Sequence, residues 1–326
     1  MSRNPPPESS SVAWFAERFE ALANNIALSI RGKIEPTRLA LTCLFAEGHL
    51  LLEDVPGVGK TSLARAIAES FDATWHRIQF TPDLLPSDVT GVSIYSQETR
   101  EFEFHPGPVF SNIVVADEIN RASPKTQAAL LEVMEERQVT VDGAPHPVPR
   151  PFMVIATQNP VEMEGVYRLP EAQVDRFLIR AGMGYPDADS EREIVLSQRG
   201  TVTERLAPVL SLTEGRAMIA LTGEVHLAPA LADYIVKLAA ATRELQDLRL
   251  AVSPRGSLAL ARASRARALA EGRDFVIPED VQALAGAVFS HRLLRTPEAE
   301  LLGRSPEEIV AGVVSSVSVP HLATRV

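Results

Sequence analysis

The stretch 49–61 constrains the fold of this chain more than any other. A short apolar run at 50–52 leads into a turn rich in Gly and Pro, and a Gly-Lys-Thr triplet at 59–61 then opens an Ala-rich segment that extends to about Ser70. This order predicts a strand, a phosphate-binding loop and a helix. Small residues let backbone N–H groups point at phosphate oxygens, and the helix N-terminus adds partial positive charge. A Gly- and Pro-rich turn with an incidental Lys-Thr pair is the alternative.

The residues of this loop have separate predicted tasks. Lys60 is expected to reach the β- and γ-phosphates, and the Thr61 hydroxyl is expected to be a ligand of Mg²⁺. The usual pattern, G-x-x-x-x-G-K-[ST], has Gly at its first position, where this chain has Asp54. Gly57 and Gly59 still supply a permissive turn. The predicted nucleotide-binding residues are Asp54, Val55, Pro56, Gly57, Val58, Gly59, Lys60, Thr61 and Ser62.

Two acidic residues follow a second apolar run, at 113–116. A continuous apolar run is typical of a strand buried on both faces, and the carboxyl ends of such strands are where open α/β sheets bind ligands. Asp117 is therefore predicted to hold Mg²⁺, and Glu118 to polarise the attacking water. A strand that merely runs into an acidic turn is the alternative, and the phosphate loop argues against it.

A third apolar run, 151–157, ends in Gln158-Asn159-Pro160. It predicts another buried strand that reaches the same edge of the sheet. Asn159 would there orient the water or contact the γ-phosphate, although Asn-Pro also opens many turns. The chain contains no Asn-Lys-x-Asp sequence, the usual reader of guanine, so ATP is the expected nucleotide.

The order of patterns divides the chain into an α/β part and a helical part. Residues 1–11 are rich in Pro and Ser and are expected to be disordered, 12–186 form the nucleotide-binding domain, and 187–326 form a helical domain. The region 81–110 reads as a short helix and a hairpin, and 138–150 as a second hairpin. No strand pattern recurs after Ala188, and helices are predicted at about 189–199, 213–222, 229–245, 256–271 and 278–295.

Composition restricts the class of protein. The formal net charge of the 326 residues is −10, which argues against a nucleic-acid-binding protein, since phosphate contact needs a basic stripe. Cys43 is the only cysteine and stands in an apolar segment, so it is expected to fill the core. The seven His residues lack metal-site spacing. No apolar run is long enough to span a bilayer, and we expect a soluble, cytoplasmic protein.

Five motifs, taken together and in this order, resemble the AAA+ ATPases and, within them, the MoxR family. The resemblance extends over nearly all of 30–326. The motifs are Glu53-Asp54-Val55-Pro56-Gly57-Val58-Gly59-Lys60-Thr61, Asp117-Glu118-Ile119-Asn120-Arg121-Ala122, Ala156-Thr157-Gln158-Asn159-Pro160, Leu169-Pro170-Glu171-Ala172-Gln173-Val174-Asp175-Arg176-Phe177 and Ser253-Pro254-Arg255.

The resemblance implies a five-stranded parallel αβα sheet with a C-terminal all-helical lid domain. It makes 81–110 similar to the family's helix-2 insert and 138–150 similar to the hairpin before sensor 1. It further implies that Asn159 is sensor 1, Arg176 the arginine finger and Arg255 sensor 2.

The two arginines have other possible roles. Arg176 could form a structural ion pair with Asp175 or Glu171, because Asp-Arg-Phe can also cap a helix end. Arg255 stands at a helix start, where the helix dipole disfavours a cation, so it is expected to face an external anion or solvent. Whether Arg255 would act on its own nucleotide or on a neighbour's is left open.

The resemblance implies a homo-hexameric, chaperone-like ATPase that uses ATP and Mg²⁺ and works with a partner that carries a von Willebrand factor A domain. We therefore expect Mg²⁺-dependent ATP hydrolysis that remodels or matures a protein client. A nucleic-acid motor, a magnesium-chelatase-like motor subunit and a regulatory module that holds ATP without hydrolysing it are the alternatives. The acidic residues of the first hairpin argue against the nucleic-acid motor, and intact Glu118 and Arg176 argue against the regulatory module.

Overall fold

The computed structural model describes residues 11–30, 32–54, 58–158, 167, 169–185, 188–189, 191–192 and 206–320. The predictions for Val55, Pro56, Gly57 and Asn159, for residues 1–10 and for most of the helix at 189–199 lie outside these ranges.

The helices are α1 (Ser11–Ser29), α2 (Ile34–Phe45), α3 (Lys60–Ser70), α4 (Pro86–Thr90), α5 (Pro124–Glu136), α6 (Glu171–Val174), α7 (Leu212–Glu224), α8 (Pro229–Arg243), α9 (Pro254–Ala270), α10 (Pro278–Phe289), α11 (Pro297–Leu301) and α12 (Pro306–Ser316). The strands are β1 (Leu50–Glu53), β2 (Trp75–Gln79), β3 (Gly91–Tyr95), β4 (Phe102–Pro106), β5 (Ile113–Asp117), β6 (Gln138–Val141), β7 (Ala144–Pro147), β8 (Met153–Gln158), β9 (Ile179–Ala181), β10 (Leu248–Leu250) and β11 (Leu294–Arg295).

The central sheet has five parallel strands in the order β2-β5-β8-β1-β9. β1 lies between β8 and β9, so the loop that follows β1 leaves the sheet next to the end of β8. This confirms the predicted fold class. The last strand begins two residues later than the pattern at 177–179 indicates, because the Phe177 N–H still donates to the Val174 carbonyl in the turn that follows α6.

Successive residues of the three central strands, β1, β5 and β8, are buried on opposite faces, as strands covered on both faces require. One face packs against α1 to α3 and the C-terminal helices, and the other face packs against α5. The first face carries Leu50, Leu52, Ile113, Val115, Met153 and Ile155. The second carries Leu51, Val114, Ala116, Val154 and Ala156.

The C-terminal region is mostly helical, but the expectation that it contains no strand is wrong. β10 and β11 pair as a short antiparallel ribbon, and α10 ends at Phe289 rather than continuing to residue 295. The cause is a tertiary contact. Arg292 is buried and donates to the Asp175 carboxylate (2.7 Å) and the Phe177 carbonyl (2.6 Å), which helical periodicity does not predict.

Two hairpins stand apart from the central sheet, β3–β4 and β6–β7, as the sequence predicts. Phe104 of β4 stacks on His146 of β7, with ring centroids 4.2 Å apart, so the hairpins contact each other. Phe102 and Tyr95 lie edge to face at the tip of the first hairpin and are 71% and 51% exposed. No helix within the described ranges combines the length and the apolar character needed to cross a membrane.

His49 joins three elements at the amino end of β1. Its Nδ1 accepts the Val154 N–H of β8 (2.9 Å), and its Nε2 lies 3.0 Å from the Met134 carbonyl of α5. These contacts fix a neutral imidazole with hydrogen on Nε2, because Nδ1 must accept. Burial lowers the pKa of His49 to about 3.

We expect the stability of the protein to fall as the pH drops below about 6.5, the pKa of an unperturbed histidine. The unfolded chain then binds a proton that folded His49 accepts only near pH 3, so each pH unit costs roughly 1 kcal/mol of unfolding free energy. In urea titrations, His49→Gln should be less stable than wild type at pH 7, and the gap should narrow towards pH 5. A gap that is constant with pH would contradict this.

Candidate nucleotide-binding and hydrolysis site

The predicted site residues meet where the parallel strands end. β1, β5 and β8 all point the same way, and Glu53 of β1 is opposite Gln158 of β8. Gln79, the last residue of β2, is opposite Asp117, the last residue of β5. The carboxyl edge of the sheet therefore brings together residues that are more than 100 positions apart in the sequence, such as Glu53 and Gln158.

Gly59 and Lys60 form the junction between the loop and α3. Gly59 caps the helix with a φ of 93°, a backbone conformation that residues other than Gly rarely adopt. Lys60 Nζ donates to the carbonyls of Asp54 (2.6 Å) and Gln158 (3.4 Å), so its charge lies between the ends of β1 and β8. Burial lowers the pKa of Lys60, and the nearby carboxylates, that of Asp54 foremost, offset part of this effect.

Asp117 is 7% exposed and is held by side chains of three other elements. Thr157 Oγ1 of β8 donates to Oδ1 (2.5 Å), and Thr61 Oγ1 of α3 donates to Oδ2 (3.0 Å). Arg77 of β2 also donates to Oδ2, from Nη2 (2.7 Å) and Nε (3.0 Å). Burial alone would raise the pKa of Asp117, but hydrogen bonds from Thr157, Arg77 and Thr61 outweigh it and the pKa is lowered.

The hydroxyl of Thr61 and the carboxylate of Asp117 fit a magnesium ion. Both are hard oxygen ligands, and Mg²⁺ is commonly bound through one or two protein groups together with waters and substrate phosphates. Within the described residues, no cluster of three or more His, Cys, Asp or Glu side chains could hold a metal ion. The donor set therefore suits a metal that arrives with a phosphate ligand.

Glu118 turns out of the sheet in the left-handed conformation, with a φ of 55°. For a residue other than Gly this backbone costs about 1–3 kcal/mol and requires support from its surroundings. Part of the support comes from the Glu118 N–H, which donates to Thr157 Oγ1 (2.8 Å). The carboxylate accepts from Gln79 Nε2 (3.1 Å) and Arg121 Nη1 (2.9 Å).

Sequence reasoning missed three residues of this site: Arg77, Gln79 and Thr157. In the sequence, Thr157 is only the last residue of a predicted buried strand, but in the structure its hydroxyl contacts both acidic residues. Arg77 and Gln79 are separated by one residue on β2, so the period of two places them on the same face of the strand. The spacing of these two polar residues is the one indication in the sequence, but it does not show that this face of β2 lies against Asp117.

The two candidate arginines share one carboxylate. Arg176 Nη2 pairs with Glu135 of α5 (2.9 Å), and Arg176 Nη1 donates to the Leu131 carbonyl (2.6 Å). Arg255 pairs with the other oxygen of Glu135. Glu135 is thus the ion-pair partner of Arg176 in the structure, whereas Asp175, one of its two alternative partners, accepts from Arg292 (2.7 Å) and from Ser253 (3.0 Å).

These arginines lie towards the amino edge of the sheet, whereas the phosphate loop follows its carboxyl edge. Leu178, two residues after Arg176, donates to the carbonyl of His49, directly before β1. The Met134 carbonyl, next to Glu135, also contacts His49. Four residues of β1 separate the two edges, about 13 Å at 3.3 Å per residue. The structure therefore groups Lys60, Thr61, Asp117 and Glu118, and separates Arg176 and Arg255 from them.

Similarity to known proteins covers both the sheet and the C-terminal helices of this chain. The family model for the ATPase family associated with various cellular activities (AAA) matches residues 49–179, and the AAA lid domain model matches 240–313. The chain is 40% identical to Chaperone MoxR1 of Mycobacterium tuberculosis, over 98% of this chain and 86% of that protein. The chain belongs to the MoxR family of AAA+ ATPases.

Further similarity covers almost the whole of this MoxR-family chain. It is 51% identical to the uncharacterized protein YeaC of Bacillus subtilis, over 89% of this chain and 91% of that protein. A crystal structure of a candidate ATPase from Cytophaga hutchinsonii superimposes with a TM-score of 0.89 at 35% identity, over 96% of this chain and 98% of that one. The protein is an ATP-hydrolysing enzyme that binds nucleotide.

We expect Thr157→Val to lower the kcat of this MoxR-family ATPase at least tenfold, because both acidic residues lose the hydroxyl that holds them. It also leaves the half-buried Glu118 N–H without that partner, which costs about 1 kcal/mol of stability. Steady-state ATP hydrolysis and thermal unfolding measure the two effects. Thr157→Ser keeps the hydroxyl and is the matched control. A Val variant with the activity of wild type would contradict the assignment.

Proposed function

We propose that this protein assembles into a homo-hexameric ring, hydrolyses ATP with Mg²⁺ between neighbouring subunits, and uses the energy to remodel or mature a partner protein. The observation that carries the proposal is the position of Arg176. Its guanidinium lies towards the amino edge of the sheet, away from its own phosphate loop. From this position the charge of Arg176 can act on the γ-phosphate of a nucleotide bound to a neighbouring subunit, rather than on its own.

In this proposal the carboxyl edge carries the hydrolysis chemistry. Lys60 binds the β- and γ-phosphates, Thr61 and Asp117 hold Mg²⁺, and Glu118 accepts a proton from the attacking water. When bound, Mg²⁺ neutralises phosphate charge and orients the transferred group. Asn159 keeps its predicted role as sensor 1. Catalysis is mostly positioning and charge neutralisation, which suits a site whose residues are fixed by several elements at once.

Arg176 and Arg255 supply positive charge from the neighbouring subunit. Their side chains are 29% and 44% exposed, and their shared carboxylate, Glu135, is 37% exposed. Ion pairs of this exposure contribute about 0–1 kcal/mol, so a triphosphate of higher charge can displace Glu135. Because both arginines meet on one carboxylate, we propose that Arg255 acts in trans together with Arg176.

A protein client is supported by similarity and by the surface of the first hairpin. A relative of this chain, with 40% identity, is named a chaperone. The tip residues Tyr95 and Phe102 are exposed and apolar, as a surface that contacts other proteins often is. We propose that a partner with a von Willebrand factor A domain works with this protein in the cytoplasm.

Mixing two inactive variants tests the ring. Arg176→Ala keeps an intact nucleotide pocket but has no arginine to offer, and should lose about 10³–10⁵ in rate. Lys60→Ala keeps the arginine but has no working pocket. In a random 1:1 mixture, about a quarter of the interfaces in a heterologous ring combine the intact pocket with the intact arginine. ATP hydrolysis should therefore reappear on mixing.

Subunit exchange must be demonstrated first, by native mass measurement with ATP present. If exchange occurs and activity does not return, Arg176 acts within its own subunit or is only structural, and the proposed site between subunits is wrong. Each variant incubated alone for the same time is the control for slow refolding or reactivation.

The exposed and the packed aromatic residues of the first hairpin should respond differently to substitution. The double variant Tyr95→Ser, Phe102→Ser removes exposed rings, so it should keep basal ATP hydrolysis and the unfolding temperature, and lose stimulation by a copurifying partner protein. Phe104→Ala removes a ring packed on Phe110 and His146, so it should lower the unfolding temperature. Undiminished stimulation of the double variant would remove the hairpin tip from the client surface.

A further inference from the structure

Arg77 connects the two acidic residues of the hydrolysis site. Its guanidinium donates to Asp117 Oδ2 from Nη2 (2.7 Å) and Nε (3.0 Å). The same Nη2 donates to Gln79 Oε1 (2.7 Å), and Gln79 Nε2 in turn donates to Glu118 Oε2 (3.1 Å). One side chain on β2 therefore contacts the predicted metal ligand directly and the predicted water-activating residue through one amide.

The first contact supplies a charge that Asp117 needs. A carboxylate that is 7% exposed must be paired or strongly hydrogen-bonded. Among the described side chains that donate to Asp117, Thr61 and Thr157 are neutral, and Arg77 alone carries a full positive charge. Lys60 is near, but its ammonium donates to main-chain carbonyls.

The oxygen that Arg77 contacts is also informative. Oδ1 of Asp117 accepts from Thr157, on the sheet, whereas Oδ2 accepts from Thr61, the other predicted metal ligand. Arg77 therefore shares one oxygen of Asp117 with the other predicted metal ligand. The Arg77 side chain is 49% exposed, so it can leave Asp117 without opening a cavity in the core.

The second contact determines the orientation of an amide. A guanidinium only donates, so it selects the oxygen of Gln79 and turns the amide nitrogen towards the Glu118 carboxylate, which only accepts. A lysine at position 77 offers a single ammonium on a flexible stem and lacks the planar fork that serves both partners.

We propose that Arg77 is a positioning residue with two tasks: it neutralises Asp117 until Mg²⁺ arrives with the nucleotide, and through Gln79 it sets the position of Glu118. This inference rests on the proposed roles of Asp117 and Glu118. A bound Mg²⁺ would supply the positive charge next to Asp117, so the structural need for Arg77 would then be relieved.

The first test measures thermal unfolding with ADP, once in EDTA and once with Mg²⁺. Arg77→Met should unfold about 2–4 °C below wild type in EDTA, the shift that corresponds to roughly 1 kcal/mol in a domain of this size. With Mg²⁺ the difference should shrink, so that the variant gains more from the metal than wild type does. Arg77→Lys keeps the charge and should behave like wild type in this test.

Arg65→Met is the matched control. It removes an equal charge from another half-exposed ion pair, Arg65 with Glu69 (2.8 Å) on α3. Its unfolding temperature should differ from wild type by the same amount with and without Mg²⁺. An equal Mg²⁺ gain in Arg77→Met and wild type would overturn the first task, whereas a wild-type protein that shows no Mg²⁺ gain at all would count against the proposed metal site instead.

The second test is a double-mutant cycle of ATP hydrolysis. Arg77→Lys should lower kcat several-fold with little change in KM, because the cation remains and the amide is no longer oriented. Gln79→Leu should produce a similar loss, and the double variant should lose no more than either single variant, since both act through one chain of contacts. Losses that multiply, or an Arg77→Lys variant with the kcat of wild type, would overturn the second task.

Discussion

The buried carboxylate of Asp117 is the constraint on which the site depends. A charge taken out of water at the end of β5 requires donors from its surroundings, and the donors come from β2, β8 and α3. The same hydrogen bonds that satisfy the charge therefore fix the relative positions of four elements. They also keep the carboxylate ionised, since they lower its pKa against the effect of burial. If Asp117 binds the metal as proposed, a ligand that is already charged and fixed needs little reorganisation.

The two edges of the sheet carry different sets of charged and polar groups. The carboxyl edge holds Lys60 and the acidic residues, and the amino edge holds the arginines on Glu135 and the neutral imidazole of His49. A parallel sheet separates these edges by the length of its strands, so a single subunit cannot bring both sets of charges to one nucleotide without a large movement. Assembly of neighbouring subunits, as proposed above, solves this problem without any deformation of the sheet.

The helical lid is not an independent addition to the α/β part. Its side chains share one continuous core with α1 to α3 and with one face of the sheet. Arg292 and Ser253 both contact Asp175, directly beside Arg176. A movement of the lid would therefore reach the segment that carries Arg176. This arrangement provides a physical route by which nucleotide turnover in the proposed ring can be coupled to lid position.

Local periodicity and short motifs of adjacent residues were enough to predict the strands of the central sheet, the two hairpins and the paired acidic residues. Which side chains meet across the fold depends on the tertiary structure. Arg77 and Asp117 are 40 residues apart, Asp175 and Arg292 are 117 apart, and Glu135 and Arg255 are 120 apart. Pairs at such separation leave no periodic pattern, since each partner needs only the right type of side chain at a single position. For this reason the sequence did not predict the β10–β11 ribbon in the lid or the pairing of Arg176 with Glu135.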